Sequence, residues 1–201
     1  MSSTDIINNK SSDPTLPAQQ PAMSNTDITV GHALPSEAAA IAKIGADTFT
    51  TTFGFAVTPE DLKKFLAETY VESAVLADLA DPTTETFAAR DAAGKVWGMV
   101  QLVRDVTDPV VSAAGDPAPH AHLQRLYVVT DAHGRGIGTK LMAAVEAQAR
   151  AEGFKTIWLS VWENSAGAQR LYGKLGYRKI GTTEFPMGDC VHTDFLLSKI
   201  L

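Results

Sequence analysis

The stretch Val128–Met142, VVTDAHGRGIGTKLM, places three glycines at alternate positions between an apolar run and a helical pattern. These glycines are Gly134, Gly136 and Gly138. Glycine inside a helix costs about 0.5–1 kcal/mol relative to alanine, so three of them at one helix start indicate that another group must approach the backbone closely. Such a loop directs several N–H groups and the positive end of the helix dipole to one point. The stretch therefore predicts an anion-binding loop.

The flanking sequence predicts how the loop is held. The run AHLQRLYVV, residues 121–129, has the composition of a strand, and apolar residues recur at helical spacing from Gly136 to about Glu152. Strands are also predicted at 27–33, 84–91, 95–105, 155–162, 177–185 and 191–201, and helices at 35–53, 58–70, 71–80 and 165–175. The segment 106–120 contains three prolines and is interpreted as a loop. This succession predicts an α/β fold with a mixed sheet.

Composition sets the class of protein. With 201 residues, 45% of them hydrophobic, the chain can bury one core, and we expect a domain over 27–201 preceded by a disordered tail over 1–26. A net charge of −6 without a Lys/Arg run argues against nucleic acid as a partner. We also expect no membrane segment, and a cytoplasmic location. The single cysteine, Cys190, excludes an internal disulfide and a thiolate metal cluster, and no metal is expected.

Two common phosphate-binding motifs do not fit the loop. A Walker loop requires Lys and then Ser or Thr after its last glycine, whereas Gly138 is followed by Thr139 and then Lys140. A dinucleotide fingerprint requires a third glycine three residues after the second, a place held here by Thr139 or Leu141. The anion-binding loop therefore belongs to another class.

The text LQRLYVVTDAHGRGIGTKLM, followed by SVWENSAGAQRLYGKLGYRKIG, resembles the GCN5-related N-acetyltransferase (GNAT) superfamily. The resemblance extends over about residues 27–201 and is closest to bacterial spermidine/spermine N-acetyltransferases. It implies a mostly antiparallel mixed sheet of about seven strands flanked by helices. It also implies an acetyl-CoA-dependent acyltransferase that moves an acetyl group directly to a small primary amine, with polyamines as the leading class and a homodimer as one assembly that the family allows.

The same resemblance implies which residues bind acetyl-CoA. The loop residues that hold the pyrophosphate are His133, Gly134, Arg135, Gly136, Ile137 and Gly138. The pantetheine arm lies along Tyr127, Val128, Val129 and Thr130 like an added strand, and Asn164 contacts the pantetheine or nucleotide part. His133 stands where the family usually has Arg or Gln. Because backbone donors carry most of the binding in such a loop, we expect binding to survive this change.

Acetyl transfer also requires an acid and a base. Tyr172 is the candidate acid because a phenol with a reference pKa of about 10 stays protonated at pH 7 and can donate to the leaving thiolate. Tyr172 also lies on the apolar face of its predicted helix, so the alternative is that it is a tyrosine of the hydrophobic core. His122 is the candidate base, at a position where polyamine-acetylating relatives commonly carry an acidic residue. A packed or surface histidine at a strand start is the alternative.

Other features are given structural interpretations. A cluster of aromatic residues is interpreted as core between the first helices: Phe49, Phe53, Phe55, Phe65 and Tyr70. Three isolated carboxylates could face a cationic acceptor but are interpreted as solvated, namely Glu72, Asp189 and Asp194. Two other functions stay open: acetylation of a protein or peptide, and acyl-CoA binding without catalysis.

Overall fold

The computed structural model describes residues 28–187 and 190–201, so the predicted tail lies outside the described residues. Its sheet contains β1 Thr29–His32, β2 Thr84–Arg90, β3 Val96–Val103, β4 His120–Val128, β5 Thr156–Trp162, β6 Arg178–Met187 and β7 Cys190–Ile200. The helices in the described ranges are α1 Ala38–Phe53, α2 Pro59–Thr69, α3 Glu72–Ala80, α4 Pro109–Ala113, α5 Ile137–Ala151 and α6 Ala166–Lys174. No helix among them is both long and apolar enough to span a membrane.

The seven strands form one sheet in the order β1-β2-β3-β4-β5-β7-β6. Every pairing between described strands is antiparallel except that of β4 with β5. The predicted α/β fold with a mixed, mostly antiparallel sheet of about seven strands is confirmed.

The parallel pair β4–β5 separates soon after it forms. Its register consists of His120 with Thr156, Ala121 with Ile157, and His122 with Trp158, although β4 continues to Val128 and β5 to Trp162. The second halves of these two strands therefore enclose a gap in the middle of the sheet.

A β-bulge in β4 lies where this gap begins. Leu123 pairs with Leu102 and Arg125 pairs with Gln101, so the intervening Gln124 has no partner on β3. A bulge of this kind bends its strand and increases the local twist. The bend follows directly after the last β4–β5 pair, and we attribute the separation of the two strands to it.

The two faces of the sheet are covered by different helices. On one face, α5 packs on the main apolar core, whose buried members include Leu141, Leu159 and Tyr172 of α5, β5 and α6. On the other face, α1 and α3 cover β2 to β4, with Ile41 and Met99 in the buried cluster. The short helix α4 covers a third cluster around Trp158 on that same second face.

The interpretation of residues 106–120 as a loop is wrong in its first half, because α4 forms there. The Asp108 side chain accepts hydrogen bonds from the backbone N–H groups of Val110 and Val111, at 2.7 and 3.3 Å. Pro109 occupies the first helical position, where its missing N–H is not needed and its fixed φ suits a helix. The proline taken as a loop marker is therefore part of a helix start.

Helix α1 is held against the end of α2 by a close approach at a glycine. A Cβ atom built on Gly45 would lie 2.4 Å from Cδ1 of Tyr70, so only glycine fits beside this ring. Tyr70 in turn shares a hydrogen bond of 2.5 Å with the hydroxyl of Tyr127 on β4. Gly45 therefore allows α1, α2 and β4 to meet at one point.

We expect Gly45→Ala to destabilise the protein by about 1–3 kcal/mol, because the added methyl group must displace a packed ring. Gly173→Ala in α6 is the matched control: a Cβ atom there meets nothing within 4 Å. That variant should gain about 0.5–1 kcal/mol from helix propensity alone. Urea unfolding of both variants measures the difference, and a stabilised Gly45→Ala protein would contradict the packing argument.

Candidate active site

The glycine loop adopts a backbone that favours glycine at two of its positions. Gly134 and Gly136 have φ angles of +76° and +74°, in the left-handed region. Gly136 is also the residue that precedes α5, and no side chain caps this helix start. The first N–H groups of a helix have no partner inside it, so those of α5 remain available to an anion together with the helix dipole. The predicted anion-binding geometry is thus present in the backbone.

The third glycine serves a different purpose. A Cβ atom on Gly138 would lie 3.2 Å from Cδ2 of Leu171, which is tighter than most packing contacts. The small residue allows the start of α5 to lie against α6. Tyr172, the residue after Leu171, is thereby carried on a helix that contacts the loop.

The edge of β4 beside the gap offers unpaired backbone groups. The Val129 N–H donates to the Trp97 carbonyl on β3 at 2.9 Å. Because successive residues of a strand direct their backbone groups to opposite sides, the N–H and C=O of Val128 face β5, across the gap. The His133 ring atom Nε2 lies 2.9 Å from this Val128 carbonyl oxygen, so the loop side chain reaches back to the strand edge.

Other predicted acetyl-CoA residues lie around the same opening. Ile137 is buried at the start of α5, and Asn164 is exposed in the turn between β5 and α6. Arg135 is half-buried in the loop and makes no ion pair with a residue of the described ranges. Its charge is therefore available to a phosphate.

Tyr127 differs from the prediction in what its side chain does. Its backbone belongs to the β4 edge, but its hydroxyl is bound to that of Tyr70 beneath α1. Burial raises the pKa of both phenols, so both stay protonated at neutral pH. Next to them, the Arg125 guanidinium donates to Asp78 at 2.7 Å and to the Gln101 side chain at 2.8 Å. These contacts tie α3 and α2 to β4.

Tyr172 lies in the main core, with 6% of its surface exposed. Burial raises the pKa of its phenol, and the nearby Tyr127 contributes in the same direction. Its hydroxyl forms no hydrogen bond to a side chain or backbone group within the described ranges. Tyr172 is therefore both the core tyrosine that periodicity indicates and a proton donor with no partner of its own.

His122 is half-buried and stacks on Trp158, with the ring centroids 4.0 Å apart. Its Nδ1 atom is buried and has no hydrogen-bond partner among the described residues. Burial lowers the pKa of His122 from 6.5 to about 4, although the Asp108 charge opposes the change. The ring is neutral at pH 7 and can accept a hydrogen bond, but it is a weaker base than an ordinary histidine.

The two candidate catalytic side chains are not brought together on one side of the sheet. Tyr172 belongs to the cluster on the α5 face, whereas Trp158, which stacks on His122, belongs to the cluster beneath α4. They approach the gap between β4 and β5 from opposite faces. This arrangement suits a reaction in which the leaving group and the incoming nucleophile come from different sides.

Further polar and aromatic groups line the α4 face beyond the last β4–β5 pair, and sequence reasoning missed them as a group. Trp162 pairs with Asp194 across β5 and β7, so both side chains stand on the same face as Trp158. Phe53, Phe55, Trp162 and His192, hereafter the ring cluster, have neighbouring centroids 5.4 to 6.4 Å apart. The sequence shows that alternate residues of β5 and of β7 share a face, but it does not show which residue of β5 pairs with which residue of β7.

The structural interpretations of these residues are therefore only partly right. Phe49 is buried in the core as expected, with 4% of its surface exposed, whereas Phe55 is 76% exposed. Asp194 is half-buried rather than solvated, and burial raises the pKa of its carboxyl. Asp189, grouped with it in the sequence analysis, lies outside the described residues.

A helix start whose backbone geometry suits an anion, beside a strand edge that is not paired with β5, suits a phosphorylated cosubstrate with an extended arm. Comparison with known proteins identifies the class: the sequence model of the acetyltransferase (GNAT) family matches residues 47–177. The chain belongs to this family, so it is an acyltransferase of the N-acetyltransferase kind with acetyl-CoA as its cosubstrate.

Relatives and solved structures agree with this assignment. An uncharacterized N-acetyltransferase in the pepI 3′ region of Lactobacillus delbrueckii subsp. lactis is 31% identical over 159 residues, 79% of this chain and 88% of its own length. An uncharacterized N-acetyltransferase of Mycobacterium tuberculosis (strain ATCC 25618 / H37Rv) is 30% identical, over 83% of this chain and 99% of its own.

Among solved structures, the PaiA N-acetyltransferase from Thermoplasma acidophilum in complex with coenzyme A is similar, with a TM-score of 0.69. The match covers 87% of this chain and 99% of that one at 17% identity, and it shows the shared fold.

We expect Gly134→Ala to raise the KM for acetyl-CoA about fivefold to tenfold, because a left-handed alanine costs about 1–2 kcal/mol and distorts the loop. Gly94→Ala is the matched control, since Gly94 also has a positive φ of +83° and no neighbour within 4 Å of a built Cβ. Both variants should lose similar stability. An equal KM for acetyl-CoA in the two variants would indicate that the conformation of the loop does not contribute to cosubstrate binding.

Stability should fall with acid partly through His122. The unfolded ring binds a proton below about pH 6.5 and the folded ring only near pH 4, so between these values the unfolded state holds more protons. Acidification across this window should therefore cost up to about 3 kcal/mol. Urea unfolding from pH 7 to pH 4.5 should show a smaller acid loss in His122→Gln. Identical pH dependence in the two proteins would contradict the lowered pKa.

Proposed function

We propose that this N-acetyltransferase acetylates a small primary amine by direct transfer, with polyamines such as spermidine and spermine as the leading class of acceptor. The polyamine class rests on the resemblance of the sequence to bacterial spermidine/spermine N-acetyltransferases. The observation that carries direct transfer is the gap between β4 and β5, with Tyr172 on one face of the sheet and the His122–Trp158 stack on the other. An acyl donor entering from the α5 side and an amine entering from the α4 side can meet there.

The residues along the β4 edge would hold the acyl donor. Tyr127, Val128 and Val129 supply the strand edge for the pantetheine arm, and the Val128 N–H faces the gap where it can donate to the thioester carbonyl oxygen. Donors aimed at a developing oxyanion are among the strongest contributions to catalysis. His133 must release the Val128 carbonyl when an amide of the pantetheine arm takes its place. The loop from His133 to Gly138 and the exposed Asn164 would hold the rest of the molecule.

In the transfer itself, the amine nitrogen forms a bond to the thioester carbon and the carbon–sulfur bond breaks. The nitrogen loses two protons overall: one is released to solvent, and the other balances the proton that the thiolate takes up. Tyr172 is the donor to sulfur in this proposal, because burial keeps its phenol protonated and its hydroxyl has no partner in the described chain.

His122 is proposed to accept the proton that the acceptor ammonium must lose before it can attack. An alkylamine with a pKa near 10.4 is almost wholly protonated at pH 7, so a neutral ring beside the gap assists the step. The lowered pKa limits how far His122 can draw that proton. The pH–rate profile of His122→Gln, measured from pH 6 to pH 9, tests this role. An unchanged profile would indicate that water, and not His122, accepts the proton of the acceptor ammonium.

The function is tested by thiol release from acetyl-CoA in the presence of spermidine, spermine, arylalkylamines, amino acids and short peptides. Turnover of polyamines supports the proposal. Turnover of peptides alone supports the alternative of a protein or peptide acetyltransferase. Thermal stabilisation by acetyl-CoA without thiol release on any acceptor supports a non-catalytic acyl-CoA-binding protein.

In the same assay, Tyr172→Phe should retain acetyl-CoA binding while turnover falls at least tenfold, or about 1.4 kcal/mol in barrier. Tyr177→Phe is the matched control, because its ring lies 5.7 Å from that of Tyr172 and its hydroxyl donates to the buried Glu146 instead. It should lose about 1 kcal/mol of stability with turnover unchanged. Full turnover in Tyr172→Phe would remove this phenol from the mechanism.

A further inference from the structure

Asp194 is a half-buried carboxylate that lacks a cationic partner. Within residues 28–187 and 190–201, it forms no ion pair with a lysine or an arginine. Its surroundings consist of Ser160, which hydrogen-bonds to it, the ring of His192 and the carboxylate of Glu163. Removing a carboxylate from water without a paired cation is unfavourable, so the site as it stands favours the arrival of a positive group.

A second polar group next to Asp194 also lacks a partner. The Nε2 atom of His192 is buried and forms no hydrogen bond to any described residue. His192 stands two residues before Asp194 on β7, so the two side chains share one face of the sheet. In the tautomer that leaves Nε2 unprotonated, this atom can accept a hydrogen bond from an ammonium group.

The ring cluster completes a surface that suits a cation. Trp162 lies 5.4 Å from Phe53, 5.8 Å from Phe55 and 5.7 Å from His192, measured between ring centroids. Phe55 is largely exposed and Trp162 is half-buried, so the ring faces are accessible from solvent. An ammonium group over the face of a tryptophan is attracted by the ring quadrupole. The carboxylate, the imidazole and the aromatic rings are thus all suited to bind an ammonium group.

The chemistry of the reaction decides which nitrogen this surface can serve. The nitrogen that attacks the thioester must be neutral, and a site that binds it tightly as an ammonium would stabilise the ground state rather than the transition state. A carboxylate with aromatic rings is therefore useful to a nitrogen that stays charged throughout the reaction. The acceptor must then carry a second positive group in addition to the amine that is acetylated.

We propose that Asp194, His192 and the ring cluster form a subsite for the second ammonium group of a diamine-type acceptor. This inference rests on the proposed function, and it assigns the choice of acceptor to named residues. The subsite lies on the α4 face, beyond the last β4–β5 pair, so a bound diamine extends from it toward the gap. These residues bind and position the acceptor and take no part in proton transfer.

The test compares 1,4-diaminobutane with n-butylamine, which have the same carbon chain and differ in one ammonium group. Wild-type protein should have a kcat/KM at least tenfold higher for the diamine. Asp194→Asn should raise the KM for the diamine about tenfold while leaving kcat and the KM for butylamine nearly unchanged. Asp194→Glu should recover part of the diamine KM.

Glu184→Gln is the matched control because it removes one carboxylate from the neighbouring strand. Glu184 is exposed and pairs with Thr193, the residue before Asp194, so its side chain lies on the opposite face of the sheet. The diamine preference should persist in this variant. Thermal stabilisation by acetyl-CoA shows whether each variant keeps its fold.

Two kinds of failure are distinguishable. If the wild-type protein acetylates no amine, the proposed function fails, and calorimetric titration of 1,4-diaminobutane into wild-type and Asp194→Asn protein still tests the subsite. Equal binding or an equal diamine preference in these two proteins overturns the subsite. A preference for 2-phenylethylamine that Asp194→Asn leaves unchanged also overturns it, since the ring cluster would then hold an aromatic group.

Discussion

The separation of β4 from β5 is the constraint on which the rest of the site depends. If the two parallel strands paired along their whole length, the backbone N–H and C=O groups at the centre of the sheet would all be bound within the sheet. Here pairing ends at His122 and Trp158, and the bulge at Gln124 bends β4 away. The following residues of β4 keep their bonds to β3 on one side, and on the other side they present backbone groups that are not paired with β5. Buried backbone groups demand partners, so an opening of this kind favours an extended ligand with amides of its own.

In the proposed mechanism, the sheet also separates the acetyl-CoA side of the site from the acceptor side. The glycine loop, α5 and Tyr172 lie with the main core on one face, while His122, Asp194 and the ring cluster belong to the other. The gap between β4 and β5 lies between these two groups of residues. The residues proposed to bind the cosubstrate are consequently grouped with the main buried core. The groups proposed to face the acceptor stand at the end of α1 and on β4, β5 and β7, and they include the exposed ring of Phe55.

The sequence predicted the features that depend on local backbone chemistry. The glycine loop, the helix that follows it and the number of strands all have local signals, and the structure adds the left-handed φ of Gly134 and Gly136. The helix α4 was missed because Pro109 was taken as a loop marker, whereas the Asp108 cap makes it a helix start. Contacts between distant segments had no such signal. The stacking of His122 on Trp158 and the meeting of Asp194 with Trp162 depend on strand register, which side-chain periodicity alone does not determine.

The contact between His133 and the Val128 carbonyl has a consequence for the protein before it meets its cosubstrate. An open strand edge inside a sheet can recruit a strand from another molecule, and proteins commonly guard such edges with charges, bulges or covering loops. The imidazole of His133 occupies one acceptor on this edge from within the same chain. In the proposed binding mode, the cosubstrate replaces this hydrogen bond with one of its own. Breaking the His133 contact then reduces the free energy of cosubstrate binding. Until the cosubstrate binds, the same contact protects the strand edge from pairing with another molecule.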